Sequence, residues 1–164
     1  MPSMFRPLNV NEVECRIGNV DKRHDPPEWF TLLLYKDARA DMTLLDETVG
    51  PMNWKREHSN GNANCTVSIR DKSGEWVSKE DTGTESNTEA EKGKASDSFK
   101  RACVNWGIGR ELYTAPTIFI RSTPENTKNS RYKAVVMDVA PQTREISRLV
   151  IVNAKTGKEV FRWG

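Results

Sequence analysis

Residues Glu89 to Tyr113, EAEKGKASDSFKRACVNWGIGRELY, carry an apolar stripe at helical spacing that closes on Gly107-Ile108-Gly109. At about 100° per residue, Ala95, Phe99, Ala102, Cys103 and Trp106 fall within one arc, the width a helix buries against a sheet. Lys94, Arg101 and Asn105 cluster on the opposite side with Lys100 on its flank, so the cations project away from the packing surface. Thr88 followed three residues on by Glu91 has the pattern of a capping box, and Gly107 suits the left-handed conformation that ends a helix. A chain with this segment must supply a sheet for the stripe to cover.

Two readings of the charged side stand together. One is a solvated helix face, with Asp97 and Arg101 as an ordinary i,i+4 pair worth about 0.2 to 0.5 kcal/mol. The other is a surface that meets phosphates. Residues 80 to 91 hold Glu80, Asp81, Glu85, Glu89 and Glu91 with no cation, whereas 92 to 110 hold five cations against Asp97. That order complements the helix dipole and keeps the acidic end away from a polyanion held near Lys100 and Arg101.

Bulk charge does not decide between them. The net charge is +2 and the isoelectric point about 8.4, too mild for a global field to attract nucleic acid, so any such site must be local. A chain of 164 residues is most simply one domain burying about 68 to 70% of its unfolded surface. No apolar run approaches the roughly 20 residues that span a bilayer, and the opening MPSMFRPLNVNEVE has no signal-like apolar stretch; a cytoplasmic location is expected. Cys15, Cys65 and Cys103 are far apart, without a CxxC, and His24 and His58 complete no zinc spacing, so reduced structural thiols are expected and no metal site.

Along the chain, residues 10 to 18 have the brief periodicity of a short helix. Trp29 to Tyr35 is an apolar run bounded by turn residues, as a buried strand would be. Residues 37 to 49 switch to helical spacing through Ala38, Met42, Leu45 and Val49, and Gly50-Pro51 stops them. An antiparallel meander follows at 53 to 59, 64 to 71 and 75 to 81, with turns at Asn60-Gly61 and Lys72-Ser73-Gly74. In its middle strand Cys65, Val67 and Ile69 alternate with Thr66, Ser68 and Arg70, one face for a core and one for solvent. Strands are expected near 117 to 121, 131 to 139, 146 to 153 and 158 to 163, with the polar loop 122 to 130 as a seam. The fold class is therefore α+β: an antiparallel β-β-β-α core, the meander packed by one long basic helix, with a C-terminal β-rich extension. The division expected is a core at 1–115 and an extension at 116–164 packed on the same domain.

Four segments resemble the Rad fifty-two type of single-strand annealing recombination proteins, especially their compact phage versions. Tyr35-Lys36-Asp37-Ala38-Arg39 leading to Leu45 through Gly50 and Asn53-Trp54 is similar to the family's first helix and following strand. Glu80-Asp81-Thr82-Gly83 resembles its exit from the meander, Lys94 through Ala102 its signature helix, and Trp106 through Tyr113 its closing turn. The resemblance covers about 10 to 115; residues 116 to 164 are similar, more weakly, to the β-rich tail of phage members.

The resemblance implies a homo-oligomeric ring with single-stranded DNA in an outer groove, held through its backbone so that bases stay free to find a complement. It implies annealing without ATP, metal or other cofactor, in recombination and repair, by a protein that is not an enzyme. A single-strand binding protein or a recombination nuclease would be a further partner. The family's groove-lining Lys-Arg pair carries over to Lys100 and Arg101, and its basic residue before the first strand to Lys22 or Arg23. Lys94, Arg56 and Arg70 extend the candidate set, although the last two, as lone strand charges, read more simply as a solvated strand face than as groove residues. The hairpin at Gly61-Asn62 lacks the lysine that larger members place there for a second DNA site, which puts that site in doubt.

Other readings remain beside this one. DNA 3′-end protection without annealing fits the same fold. A nuclease is opposed by the want of a paired acidic set with a nearby base, and a helix-turn-helix by Pro116 and the β-rich segment after it. Of the tryptophans, Trp54 and Trp106 read as core, whereas Trp76, beside a hairpin turn, is expected to be exposed for stacking or for subunit contact.

Overall fold

The computed structural model describes residues 3–84 and 90–164. In chain order its elements are β1 (Val13–Val20), β2 (Trp29–Lys36), α1 (Ala38–Val49), β3 (Trp54–Ser59), β4 (Asn64–Arg70), β5 (Trp76–Thr82), α2 (Ala90–Asn105), β6 (Ile118–Arg121), β7 (Tyr132–Val139), β8 (Ile146–Asn153) and β9 (Glu159–Trp163), with 3-10 turns at Val10–Glu12 and Arg110–Thr114. All sheet pairings are antiparallel, so the fold is α+β. Contacts group the chain into two compact units. One comprises the N-terminal residues up to Arg6 with Asp37–Gly109; the other comprises Pro7–Lys36 with Arg110–Gly164. This grouping is discontinuous in sequence, unlike a division at 115/116.

The first unit is a β3-β4-β5 sheet with α2 packed on β4 and β5 and α1 packed on α2 and β3. Helix α1 starts where the Asp37 carboxylate accepts the Ala40 N–H at 2.8 Å. It stops at Gly50, whose N–H still reaches the Asp46 carbonyl at 2.9 Å and whose φ of 89° turns the chain out of the helix. Leu44 and Leu45 are its buried stripe. In β4, Cys65, Val67 and Ile69 are buried as the alternation requires, but Ser68, expected towards solvent, is buried as well, its hydroxyl 2.8 Å from that of Ser78 on β5. The hairpin joining β3 to β4 is a four-residue loop, since Ser59 pairs with Asn64, and Asn60, Gly61 and Asn62 all take positive φ. Asn tolerates that conformation better than most residues, which is why an Asn-Gly-Asn run sits there.

The second unit pairs β1-β2-β6 as one sheet and β7-β8-β9 as another, with contacts from β1 to β7 and from β6 to β9. Phe30 and Tyr132 bring their rings to 5.6 Å between the two sheets. Val13, Phe30, Leu32, Ile118 and Ile120 are buried from the first sheet, and Leu149 and Ile151 from the second. The loop 122 to 130 is pinned rather than a seam. The Asn153 amide donates to the Glu125 carbonyl and to Asn126 Oδ1, and the Tyr132 hydroxyl donates to the Thr127 carbonyl at 2.8 Å.

One local expectation fails. Residues 10 to 18 are not a helix: one 3-10 turn at Val10–Glu12 leads straight into β1. Six residues of β1 pair with β2, and burying Val13 against the second unit's core outweighs a short helical periodicity.

Candidate nucleic-acid interface

Helix α2 is docked on the meander by three kinds of contact. Phe99 is fully buried and stacks on Trp54 at 6.1 Å. The Trp106 indole donates to the Val67 carbonyl at 2.9 Å. The Ser98 hydroxyl donates to the Asn62 carbonyl at 3.0 Å, where the chain after β5 comes so close that a Cβ on Gly83 would lie 2.5 Å from the Ser98 nitrogen. The expected capping residue Thr88 lies outside the described residues, as does the side chain of Glu91.

With that face committed, Arg101 is exposed and Lys94 and Lys100 are half-buried. Asp97 is more than a partner on a solvated face. Its Oδ2 receives the Arg101 Nε–H at 3.0 Å and the Thr84 N–H at 2.8 Å, tying the exit of β5 to the helix beside the cation. Asn105, placed by its helical angle among the cations, turns instead to β5: its amide donates to the Glu80 carbonyl and to Asp81 Oδ2, both at 3.1 Å. An angular projection registers the core side of a helix but not a second neighbour packed on its flank.

The two arginines of the meander part company. Arg56 shares the α2 side of the sheet, its guanidinium 4.4 Å from the Phe99 ring centroid. Arg70 is on the other face, where it is used within the fold: it donates to Asn53 Oδ1 and to the Met52 carbonyl, and lies 5.3 Å from the Trp76 ring. Lys55 Nζ approaches the same ring at 4.6 Å. Trp76 is exposed, as expected. On the α2 side, Lys79 joins the basic set, its Nζ 4.9 Å from the Trp106 ring and 3.3 Å from the Asn105 carbonyl. The register of β5 against β4, which sets Lys79 opposite Val67, puts it on that side.

Lys22 and Arg23 belong to the second unit and are exposed in the loop after β1. That loop is held by Asp21, which is 4% exposed. Its carboxylate accepts the N–H groups of Arg23 (2.8 Å) and Glu28 (3.1 Å) and contacts His24 Nδ1 at 2.8 Å. Burial pushes the Asp21 carboxyl up, but these donors outweigh it and hold it below its ordinary value. The same Asp21 contact, then the charge of Glu28, raises the His24 pKa above 6.5. Asp21, His24 and Glu28 bring three ligand-type atoms within 4.8 Å of one another. Both Asp21 oxygens are already engaged by the loop, so the cluster is a loop staple rather than an open coordination site.

His58 is held below 6.5 by burial and by the Arg56 charge. Cys15 and Cys65 are pushed up to about 11 by burial, which leaves neither with thiolate character at neutral pH. No helix among the described residues is long and apolar enough to cross a membrane.

A family model described as Rad52/22 family double-strand break repair protein matches residues 3–131. That span contains the meander, α2 and the β1-β2-β6 sheet, and stops one residue before β7. No curated protein and no solved structure matches the chain.

Proposed function

Because the chain belongs to the Rad52/22 family of double-strand break repair proteins, we propose that it binds single-stranded DNA and anneals complementary strands in recombinational repair, as a phage-type member needing neither nucleotide nor metal. The observation that carries this reading is the family match across α2 together with the basic side of that helix. Lys100 and Arg101 sit on a helix whose other face is anchored by Phe99, Ser98 and Trp106. Cations on a rigid element position phosphates without reading bases.

Lys94 and Arg56 extend that surface, and Lys22 and Arg23 supply the basic loop of the second unit. Neutralising phosphates releases counterions, so log K falls with log salt by about 0.7 per phosphate contacted. Annealing then breaks no bond. Two strands held on a cationic surface repel each other less and meet at higher local concentration.

Assembly of copies into a ring is supported by the sheet order. Among the described residues β3 and β5 are the outer strands of the three-stranded sheet, and the Asn105 amide occupies one carbonyl of β5, that of Glu80. Sheet edges that are not blocked pair with another chain, and a head-to-tail repeat of that pairing forms a ring when the rotation between copies closes.

The test is annealing of two complementary fluorescent oligonucleotides without nucleotide, by the wild type and by the Lys100→Ala/Arg101→Ala double variant, with oligomer size measured in parallel. Accelerated pairing by the wild type, lost in a variant of unchanged size, is the expected result. Binding without annealing would favour 3′-end protection instead.

A further inference from the structure

The sheet β1-β2-β6 has one face in the core of the second unit and one face open. Register fixes which side chains share the open face: Arg16 opposite Leu33, Thr31 opposite Phe119, and Trp29 opposite Arg121. Phe119 is 51% exposed and Leu33 46%. The Trp29 and Phe119 rings stack at 5.6 Å with 26° between their planes. Tyr35 is covered by the Arg16 guanidinium, 4.7 Å from its centroid. What remains open is an apolar surface made of a stacked aromatic pair and a leucine, with Arg121 at one end and, at the other, Arg16 paired to Glu14 at 3.4 Å.

Beyond Arg121 the face runs into a cleft of about 1160 Å³ between the loop after β1 and the loop after β6, whose charged lining is Arg23, Arg121 and Lys128 against Asp25 and Glu28, with His24 beside them. Three cations outnumber two carboxylates where the aromatic surface ends. Protein interfaces also carry arginine at a polar rim, so what favours a nucleic acid here is the stacked ring pair running directly into an excess of positive charge. A strand of nucleic acid needs both parts, since every base has a π-face to lay on an aromatic ring and every base carries a phosphate.

We propose that this open face is a base-stacking surface for single-stranded DNA: a base continues the Trp29–Phe119 stack, Leu33 carries the next apolar contact, and the backbone passes over Arg121 towards Arg23 and Lys128. The inference rests on the single-stranded DNA reading above and gives the second unit a base contact of its own. Stacking engages the flat face of a base and leaves its pairing edge open. A strand held this way is still presented for a complement, and the preference among bases is for strong stackers rather than for a sequence.

The experiment compares oligothymidylate with an abasic oligomer of equal length and phosphate number, by fluorescence anisotropy at one fixed salt concentration with the full chain. Phe119→Ala should weaken oligothymidylate binding by roughly 5- to 150-fold for one lost stack, and leave abasic binding within about twofold. Phe119→Leu keeps the apolar volume on β6 and removes only the ring, so it should lose base-dependent affinity nearly as far. Lys100→Ala/Arg101→Ala should weaken both ligands alike.

An unchanged ratio of the two affinities in both Phe119 variants overturns the proposal while leaving DNA binding intact. If that unchanged ratio comes with a smaller oligomer in sedimentation, a second copy of the chain covers this face instead. Failure of the wild type to bind either ligand removes the DNA reading and this inference together.

Discussion

Asp97 sits where it should oppose DNA binding. Its carboxylate lies 3.0 Å from Arg101 Nε, so a phosphate brought to Arg101 meets a negative charge close behind the positive one. Asp97→Asn removes that charge and keeps an oxygen able to accept the Thr84 N–H that Asp97 now receives at 2.8 Å. With a phosphate about 6 Å from the carboxylate, the repulsion removed is about 0.7 kcal/mol in water, roughly threefold in affinity per site. Screening shrinks it, since the Debye length falls from about 30 Å at 0.01 M salt to about 3 Å at 1 M. The stability cost is small, because an exposed i,i+4 pair contributes about 0.3 to 0.5 kcal/mol. Asp97→Ala also deletes the acceptor for Thr84, adding about 0.5 to 1.5 kcal/mol. Anisotropy titrations across a salt series, beside urea melts, should show Asp97→Asn binding about two- to fourfold tighter at low salt and converging with the wild type near 1 M. Weaker binding by Asp97→Asn at low salt, at unchanged stability, would refute the reasoning: Asp97 would then be orienting Arg101 for its phosphate rather than competing with it.

Other consequences follow from the packing and the loops. Gly83→Ala places a methyl 2.5 Å from the Ser98 nitrogen, and overpacking of this kind costs about 1 to 3 kcal/mol; a thermal melt within about 0.5 kcal/mol of wild type would mean the two segments separate easily. Arg70→Ala frees Asn53 and the Met52 carbonyl and should lower stability, but shift oligonucleotide affinity less than twofold in the titration where Lys100→Ala/Arg101→Ala loses most of it. His24 should titrate above 6.5 by NMR, and Asp21→Asn should bring it back towards 6.5. Because the folded value is the raised one, protonated His24 stabilises the fold fully below about pH 6.5, and that contribution is lost as pH rises through the folded value. Asp21, held low, contributes above about pH 3.8 and loses its contribution as pH falls through the folded value; a urea series from pH 3 to 8 separates the two.

The first unit was largely legible in the sequence because its signals are local. Gly50 ends α1, Asn60-Gly61-Asn62 and Gly74 turn the meander, and the alternation through Cys65, Val67 and Ile69 marks the buried face of β4. The second unit was less so. Val13-Glu14-Cys15-Arg16-Ile17 alternates as a half-buried strand does, a signal that a helical reading of 10 to 18 passes over, and β2, its partner, in turn pairs with a strand far along the chain. No local pattern reports a partner at that distance. At the candidate interface, helical angle separated Phe99 from Arg101 but misplaced Asn105, whose partners Glu80 and Asp81 come from β5. The open aromatic face of β2 and β6 needed register as well as composition, because Trp29 and Phe119 become neighbours only through that pairing.

The pairing of β2 with β6 also sets a timetable for the growing chain. β2 is complete at Lys36, yet β6 begins only at Ile118, after the meander and both helices have been made. At ribosomal speeds of about 5 to 20 residues per second, the intervening stretch of about 80 residues takes roughly 4 to 16 s to emerge. Hairpins form in microseconds, so β1 and β2 can meet long before then. Through that interval the far edge of Trp29–Lys36, an apolar strand, waits for its partner, and co-translational aggregation should begin there.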